Sequence, residues 1–436
     1  MRLVHGYEMT KKVLLENRGL QLNLATSSEV FGKPMTPLAT VEHIIADVRE
    51  RGDDAVRDIT KQVDGVALQD LEIPTSEITS ARDKVAPEVV DALEIAANRI
   101  QNFHERSRPH SWIDSEEGYG ESVTSIERAG IYIPGGTARF PSTVLMSAIP
   151  ARVAGVDEII IATNPSADRG IHPVVLVAAE IAKVDRVYQV GGAQAIAALA
   201  YGTETIPKVD IVCGPGGLFT TLAKKLVFGD VGVEGLYGPT ETLIIADETA
   251  NATLCAADLL AQAEHDILAK PVLITTSEAL ASSVAREVEI RANHLDRSAT
   301  AITSVTEHGL IAVVESLQDA FALSNEFAPE HVSLMVNDPW NELRNIRHAG
   351  AIFLGEFSHE VLGDYVAGPS HVMPTSGTAR FSSGLNVRSF LKFSPVIGLD
   401  DETAVNLSRT AAVIGRIEGF TAHAEAAEIR DEMTKG

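Results

Sequence analysis

The segment E-I-I-I-A-T (158–163) opens a series in which short runs rich in β-branched residues alternate with longer, alanine-rich runs. It is followed by H-P-V-V-L-V-A-A-E-I-A-K-V (172–184), R-V-Y-Q-V (186–190), A-Q-A-I-A-A-L-A-Y (193–201) and V-D-I-V-C (209–213). The short runs are typical of buried strands and the longer runs of helices. This β-α-β-α-β order predicts a parallel sheet with helices on its faces.

A second series of the same kind begins at T-L-I-I-A-D (242–247). It continues through L-L-A-Q-A-E-H (259–265), P-V-L-I-T-T-S (271–277), a helix-like stretch at 278–295, H-V-S-L-M-V (331–336) and A-G-A-I-F-L-G (349–355). The sequence therefore predicts an α/β protein with two tandem, incomplete Rossmann-like α/β/α units.

The regions outside these series have helical patterns. Residues 38–103 carry apolar side chains at helical spacing, for example at Val41, Ile44 and Val48, and a charged helix-like segment runs from Asp400. We predict an N-terminal helical extension (1–30), a first α/β domain (31–130 and 238–380), a second α/β domain (131–237) and a C-terminal helical tail (381–436). The tail holds no core of its own, which is typical of a segment that packs on a partner subunit.

The composition excludes several classes of protein. Sixty acidic residues against 36 basic ones give a net charge of −24, which repels nucleic acids and anionic membranes, so we expect neither as a partner. Cys213 and Cys255 lie in apolar runs and suggest neither a disulfide framework nor a thiolate zinc cluster. The N-terminal residues show no apolar core of a signal peptide, so we expect a cytoplasmic location.

Two glycine-rich turns follow predicted strands: Y-I-P-G-G-T-A-R-F-P-S-T (132–143) and C-G-P-G-G (213–217). Ligands of parallel α/β sheets bind at the carboxyl ends of strands, where glycine lets backbone amides approach a phosphate. Neither turn has the G-x-G-x-x-G pattern. Each is therefore a candidate for a non-standard nucleotide site or a tight turn without a ligand.

Several polar residues are candidates for catalysis or metal binding. Gln262 and His265 are three residues apart, so on a helix they share one face and could hold a metal ion or make a buried hydrogen bond. Glu330 and His331 stand at the entrance of a strand, as an acid-base pair or as part of a solvated loop. A loop punctuated by glycine and proline carries Asp364 and His371, and His423 lies in the tail.

These residues occur in motifs that together resemble the histidinol dehydrogenase family over nearly the full length of the chain. The motifs include G-I-Y-I-P-G-G-T-A-R-F-P-S-T (130–143), V-G-G-A-Q-A (190–195), G-P-T-E (238–241), Q-A-E-H-D (262–266), A-P-E-H (328–331), G-D-Y-V-A-G-P-S-H (363–371) and E-G-F-T-A-H-A (418–424). The resemblance implies oxidation of L-histidinol through L-histidinal to L-histidine, with NAD+ as oxidant and one Zn²⁺ per subunit.

The resemblance also implies roles for individual residues. It places the metal ligands on Gln262, His265, Asp364 and His423, and the acid-base pair on Glu330 and His331. It implies that these six residues contact the substrate together with Thr240, His371 and Glu418, and that the dinucleotide contacts Tyr132, Gln194 and Gly217. The implied protein is a homodimer with shared active sites, in which Glu418 and His423 come from the other subunit.

The sequence departs from the family pattern at three positions. Gly217 stands where the family usually has asparagine, Thr240 where serine is common, and Ser370 where asparagine usually precedes the histidine. Relatives of the family that oxidise other small alcohols, such as sulfopropanediol, share the zinc residues. Glu418 is a good partner for an imidazole N–H and a poor neighbour for a sulfonate, which favours histidinol.

Two other classes compete with a dehydrogenase. A zinc hydrolase would need no dinucleotide-binding turns, and its H-E-x-x-H motif is absent from the sequence. A two-lobed binding protein for small molecules is compatible with tandem α/β units, but it would not need the pair Glu330 and His331.

Overall fold

The structure is a computed structural model that describes residues 1–16, 31–32, 34–135, 139–166 and 170–433. The chain forms two compact units. The first consists of Met1–Arg108 and Ile126–Phe390, and the second of Pro109–Ser125 and Leu391–Gly436.

The strands are, in chain order, β1 (Arg2–His5), β2 (Trp112–Asp114), β3 (Tyr119–Ser125), β4 (Arg128–Ile133), β5 (Glu158–Thr163), β6 (Arg186–Tyr188), β7 (Ile211–Cys213), β8 (Gly232–Val233), β9 (Glu241–Ala246), β10 (Lys270–Thr275), β11 (Leu310–Val313), β12 (His331–Met335), β13 (Ala351–Leu354) and β14 (Leu391–Ile397). The first unit contains two parallel sheets, with strand orders β1-β11-β10-β9-β12-β13 and β6-β5-β4-β7-β8. The second unit contains the antiparallel sheet β14-β3-β2.

The α-helices are α1 (Tyr7–Glu16), α2 (Pro37–Arg51), α3 (Asp53–Val63), α4 (Thr75–Ser80), α5 (Pro87–Ser107), α6 (Pro141–Ala154), α7 (Pro173–Ile181), α8 (Gly192–Tyr201), α9 (Leu218–Val227), α10 (Ala252–Ala263), α11 (Glu278–Ala292), α12 (Ser298–Glu307), α13 (Leu317–Phe327), α14 (Pro339–Glu342), α15 (Glu360–Tyr365), α16 (Asp401–Ile417) and α17 (Thr421–Met433). Short 3₁₀ helices lie at Ala81–Lys84, Leu343–Asn345, Thr378–Arg380 and Val387–Phe390. Among the described residues, no helix is long and apolar enough to cross a membrane.

The six-stranded sheet is buried on both faces, as the apolar runs predicted. Leu243 and Ile245 of β9 point to one face, where they pack with Phe321 of α13. Ile244 and Ala246 point to the other, where they pack with residues of α10 and α11. Successive strand residues alternate between faces, so a continuous apolar run fills both layers.

The five-stranded sheet has its core beneath α2, α3, α8 and α9. Val41, Ile44 and Val48 of α2 pack against it, which confirms the helical pattern predicted for this region. The predicted β-α-β-α-β series appears as β5, α7, β6, α8 and β7. Cys213 and Cys255 are free and buried.

Two segments differ from the helical patterns assigned to the ends of the chain. Residues 2–5 form the edge strand β1 beside β11, and the helical part of the extension is α1; the remainder, 17–30, lies outside the described residues. Residues 391–397 form β14, paired with β3, before the helices of the tail begin. Both segments are short runs that gain their conformation by pairing with strands distant in sequence, which helical periodicity cannot reveal.

Candidate active site

A cavity of about 620 Å³ opens in the first unit between elements of its two parallel sheets. Eight of the predicted site residues line it: Thr240, Gln262, His265, Glu330, His331, Asp364, His371 and Gly217. They are spread over about 150 positions of the sequence, and the fold brings them to one place.

The acid-base residues and Thr240 lie at the amino ends of two neighbouring strands. Thr240 precedes β9 and Glu330 precedes β12, and these strands pair in parallel with His331 opposite Thr242. The hydroxyl of Thr240 therefore lies 2.7 Å from Glu330 Oε2 and 2.9 Å from Gln262 Oε1. Strand register thus fixes the carboxyl group of Glu330 within the cavity.

The surroundings of His331 define which of its ring nitrogens is basic. Nδ1 lies 3.1 Å from the carbonyl oxygen of Glu241, which can only accept, so Nδ1 carries a hydrogen and donates. Nε2 is buried, has no hydrogen-bond partner among the described residues and lies 3.8 Å from Asp364 Oδ1. In the neutral ring Nε2 therefore holds the free lone pair, at the cavity wall.

Glu330 and His331 are both buried, and their pKa values are shifted. Burial raises the pKa of Glu330 to about 7, against the opposing effects of His331 and of the hydrogen bond from Thr240. Burial alone would lower the pKa of His331, but the carboxylates of Glu330, Glu360 and Asp364 outweigh it and raise the pKa to about 8. Perturbed pKa values of neighbouring groups in a cavity are typical of acid-base catalysis.

Gln262 and His265 are close together, although not on one continuous helix. Helix α10 ends at Ala263, and His265 lies in the following turn, where its N–H donates to the carbonyl of Gln262 over 3.1 Å. Gln262 is buried, whereas His265 keeps an exposed edge even though desolvation by the cavity walls lowers the pKa of its ring. The helix ends here because the chain turns towards β10.

Asp364 faces the same point from α15. Its Oδ2 lies 3.4 Å from the amide nitrogen of Gln262, a long contact for a hydrogen bond. Its backbone carbonyl lies 2.7 Å from Nδ1 of His371, whose Nε2 lies 3.0 Å from the hydroxyl of Thr143 on α6. Asp364 thus lies on a helix and not in the loop that the sequence predicted, and His371 links this helix to the first residues of α6.

The predicted dinucleotide residues are distributed differently. Gly217 lines the cavity as the residue before α9, with φ −71° and open space around its Cα. Tyr132 and Gln194 are 5% and 1% exposed, and neither lines the cavity. The Tyr132 hydroxyl donates to Asn164 over 3.0 Å. In the first glycine turn, residues 136–138 lie outside the described residues.

Glu418 and His423 belong to the second unit and are exposed there. Glu418 follows the last residue of α16, and His423 lies in the first turn of α17 with its ring centroid 5.4 Å from that of Phe420. Among the described residues, no group of three or more His, Cys, Asp and Glu side chains is arranged to hold a metal ion. The four predicted ligands do not form such a group. Gln262 would contribute an amide, and His423 belongs to the second unit, whereas His265 and Asp364 belong to the first.

Sequence reasoning missed Glu360, which is fully buried and contributes to the pKa of His331. Its Oε1 accepts hydrogen bonds from the hydroxyls of Thr242 and Ser333, the latter over 3.0 Å. Glu360 and Asp364 are four residues apart in H-E-V-L-G-D, so both lie on one face of α15. This spacing, with Asp364 already singled out, is the signal that could have identified Glu360.

Comparisons with known proteins identify the family. A family model described as histidinol dehydrogenase matches residues 33–431. The chain belongs to the histidinol dehydrogenase family. It is 48% identical to a histidinol dehydrogenase of Synechococcus sp. over 399 residues, which cover 90% of this chain and 92% of the relative. It is 46% identical to that of Dehalococcoides mccartyi over 436 residues, which cover 99% and 100%.

Solved structures agree with this assignment. The crystal structure of histidinol dehydrogenase from Elizabethkingia anophelis superposes with a TM-score of 0.93 at 33% identity, covering 100% of this chain and 99% of that one. An acetylating aldehyde dehydrogenase from Geobacillus thermoglucosidasius has a TM-score of 0.51 at 14% identity over 84% of this chain and 97% of that one, a likeness of fold alone. The predicted family and the predicted α/β fold class are confirmed.

Proposed function

We propose that this protein is a zinc-dependent dehydrogenase that oxidises L-histidinol through L-histidinal to L-histidine with two NAD+. The observation that carries the proposal is the buried pair of Glu330 and His331 in one cavity with Gln262, His265 and Asp364. The family assignment supplies the substrate class, a small amino alcohol, and the oxidoreductase chemistry of histidine biosynthesis.

His331 acts as the base for the alcohol step. Above its pKa of about 8 the ring is neutral, and Nε2 then takes the proton of the substrate hydroxyl while Nδ1 stays bonded to the carbonyl of Glu241. The hydride of the alcohol carbon leaves to NAD+. The carbonyl of Glu241 keeps the ring in the orientation and tautomer that this step needs.

Glu330 acts in the aldehyde step. Its carboxyl group accepts from Thr240 and from the backbone N–H of Glu241, so it is held in place. A pKa near 7 lets Glu330 accept a proton from the water that adds to the aldehyde and release it again near neutral pH. Oxidation of the resulting hydrate gives the carboxylic acid and the second NADH.

The residues present suit a zinc ion. Among the described residues, the carboxylate of Asp364 makes only contacts of 3.4 Å and 3.8 Å with Gln262 and His331, so its oxygens retain lone pairs for a cation. We propose that Gln262, His265 and Asp364, with His423 of the partner subunit, hold one Zn²⁺ per subunit. Oxygen and imidazole nitrogen ligands fit zinc. The bound ion would orient the substrate's nitrogens and polarise its alcohol oxygen.

Further contacts complete the proposed site. Thr240 and His371, with Glu418 of the partner subunit, contact the substrate. The dinucleotide binds at Gly217 and at the carboxyl edge of the five-stranded sheet, near Tyr132 of β4 and Gln194 of α8. We propose a dinucleotide-binding domain at 131–237 and a catalytic domain at 31–130 and 238–380. Within 31–130, helix α2 packs on the five-stranded sheet, and Pro109–Ser125 belongs to the second unit.

We propose that the protein is a cytoplasmic homodimer, and the second unit supports the homodimer. Helices α16 and α17 pack on each other through small residues, with Ala412, Gly415 and Ala424 buried. Large apolar side chains remain exposed, among them Ile417 at 81% and Phe420 at 55%. An exposed apolar face of this kind is typical of an interface, and a two-fold axis would let each tail complete the other subunit's site.

Turnover of purified protein tests the proposed reaction. The zinc-loaded chain is incubated with L-histidinol and NAD+, and NADH is followed by its absorbance; sulfopropanediol serves as the contrasting substrate. We expect two NADH per histidinol consumed and no turnover of sulfopropanediol. Turnover of sulfopropanediol without turnover of histidinol would assign the chain to the alternative reaction.

Mixing two inactive variants tests the shared site. In a heterodimer of His331→Ala and His423→Ala chains, one active site contains both substitutions and the other contains neither. Random re-pairing of equal amounts predicts about a quarter of wild-type activity. If subunit exchange is demonstrated and the mixture stays inactive, His423 acts within its own chain.

A further inference from the structure

A buried ion pair lies beneath the second glycine-rich turn. Lys224, on α9, and Glu234, directly after β8, have side chains that are 3% and 1% exposed, with Nζ 2.7 Å from Oε1. The turn of residues 213–217 connects β7 to α9, so the lysine is carried by the helix that the turn begins.

Both charged groups also bind the backbone of one turn residue, Gly214. Its N–H donates to Glu234 Oε1 over 2.7 Å, and its carbonyl accepts from Lys224 Nζ over 3.0 Å. Gly214 has a φ of +109°, and a Cβ there would lie 2.0 Å from the carbonyl oxygen of Tyr132. The ion pair thus fixes the orientation of both peptide groups at a position that only glycine can occupy.

The part of the turn that follows Gly214 forms a wall of the cavity. Pro215, Gly216 and Gly217 line it, and the first amide groups of α9 point out of the helix at this end. Lys224 also supports the neighbouring wall, because its Nζ lies 5.0 Å from the ring centroid of Tyr237. Lys224 therefore contacts both the turn of residues 213–217 and the ring of Tyr237, which is another part of the cavity wall.

Energetics argue against stability as the reason for this pair. Removing two charges from water costs about as much as their attraction returns, so an apolar pair of the same size would stabilise the fold equally well or better. An ion pair differs from an apolar pair in having directional hydrogen bonds. Here these hydrogen bonds are made with the N–H and the carbonyl group of Gly214, which indicates a role in positioning the turn.

We propose that Lys224 and Glu234 are positioning residues for the dinucleotide: they hold the 213–217 turn in the shape that receives its phosphate groups. This inference rests on the proposed function and assigns a role to two residues that touch neither substrate nor reacting atoms. Their loss should weaken NAD+ binding while leaving histidinol binding, at the opposite wall, unchanged.

The double variant Lys224→Met/Glu234→Gln tests this role. Both charges are removed together because a single substitution of the lysine would leave a buried charge unpaired. We expect the KM for NAD+ to rise about tenfold or more, since a misplacement of about 1 Å can cost on the order of 10²-fold. The KM for histidinol, the zinc content and kcat at saturating NAD+ should stay near wild type.

A matched control is the ion pair of Arg186 and Glu72, which is 2.6 Å long and lies at β6 in the same sheet. The variant Arg186→Met/Glu72→Gln removes the same charges away from the turn. It should lower the thermal midpoint without changing the KM for NAD+. A general loss of stability in this sheet is thereby separated from a loss of turn geometry.

Calorimetric titration of NAD+ without histidinol gives the deciding result. A folded double variant that binds NAD+ as the wild type does, or that loses affinity for NAD+ and histidinol equally, overturns the positioning role. If the double variant does not fold, Glu234→Asp, which keeps both charges but moves the accepting oxygen back by one methylene, should show a smaller rise in the NAD+ dissociation constant. A wild type that binds NAD+ but does not oxidise histidinol refutes the proposed function and leaves the positioning role standing.

Discussion

The two parallel sheets of the first unit face the cavity with opposite ends. The six-stranded sheet presents the amino ends of β9 and β12, where Thr240, Glu330 and His331 lie. The five-stranded sheet presents the carboxyl end of β7, followed by the turn that contains Gly216 and Gly217. The first wall carries buried titratable side chains, whereas the second includes the glycine backbone of this turn.

This difference explains how one cavity combines chemistry with cofactor binding. Carboxyl ends of parallel strands lead into helix N-termini, which suit phosphates. Amino ends have no such helix dipole to offer, but strand pairing there places Glu330 beside Thr240 with a fixed register. We infer that the amino-end wall carries out proton transfer and metal binding, and that the carboxyl-end wall binds the dinucleotide. Substitutions in one wall should therefore leave the function of the other intact.

The largest effect should come from His331→Asn. The asparagine amide can still donate towards the carbonyl of Glu241, but the basic Nε2 is lost. We expect kcat to fall by roughly 10²- to 10⁴-fold, with the KM for NAD+ unchanged. Steady-state kinetics check this, and His294→Asn, at an exposed histidine, is the control. A comparable rise in the KM for NAD+ would contradict the assignment of proton transfer and dinucleotide binding to separate walls.

Glu330→Gln should separate the two oxidations. If Glu330 serves the water step, oxidation of histidinal should fall by roughly 10²-fold or more, and oxidation of histidinol by less. Each half-reaction is measured with its own substrate. Equal losses would instead mean that Glu330 chiefly positions His331, whose Nδ1 lies 3.8 Å from its carboxyl group.

His265→Ala should lower the zinc content without unfolding the chain, because His265 lies in a turn at the cavity mouth with an exposed edge. Chelation of the wild type should abolish turnover. Elemental analysis and circular dichroism measure both, with His294→Ala as the control. A metal-free preparation with full activity would show that turnover at the amino-end wall needs no metal ion.

The smallest effect should come from Gly217→Asn in the carboxyl-end wall. Gly217 has φ −71°, and no atom lies within 4 Å of a Cβ built there, so asparagine fits without strain. Its side chain could cap α9 and donate to the dinucleotide, lowering the KM for NAD+ by roughly two- to tenfold. Gly398→Asn, also at an open position, is the control. A higher KM would mean that the open space at Gly217 is itself part of the binding surface.

Sequence patterns predicted the parallel sheets because their strands are apolar on both faces and alternate with alanine-rich helices. They did not predict β1 or β14, whose pairing with β11 and β3 depends on contacts between residues more than 200 positions apart. Helical spacing brought Gln262 and His265 together, but the chain leaves the helix at Ala263, and a turn keeps them adjacent instead.

The functional site was harder to predict from the sequence than the fold was. Residue types alone left Glu330 and His331 open between an acid-base pair and a solvated loop; only their burial and the register of β12 with β9 favour the first. The resemblance supplied the roles of Tyr132 and Gln194, and these remain predictions for two buried side chains. The pair of Lys224 and Glu234 had no sequence signal, because nine residues that span a helix end and a strand separate them.

The division between the walls is tested most directly by calorimetry on Asp364→Asn, with NAD+ and histidinol titrated separately into zinc-loaded enzyme. Asp364 lies in the amino-end wall and contacts Gln262 and His331. We predict that histidinol binding is lost, while the dissociation constant for NAD+ stays within about twofold of wild type, as for independent sites. Loss of NAD+ affinity in parallel with histidinol affinity would contradict the account.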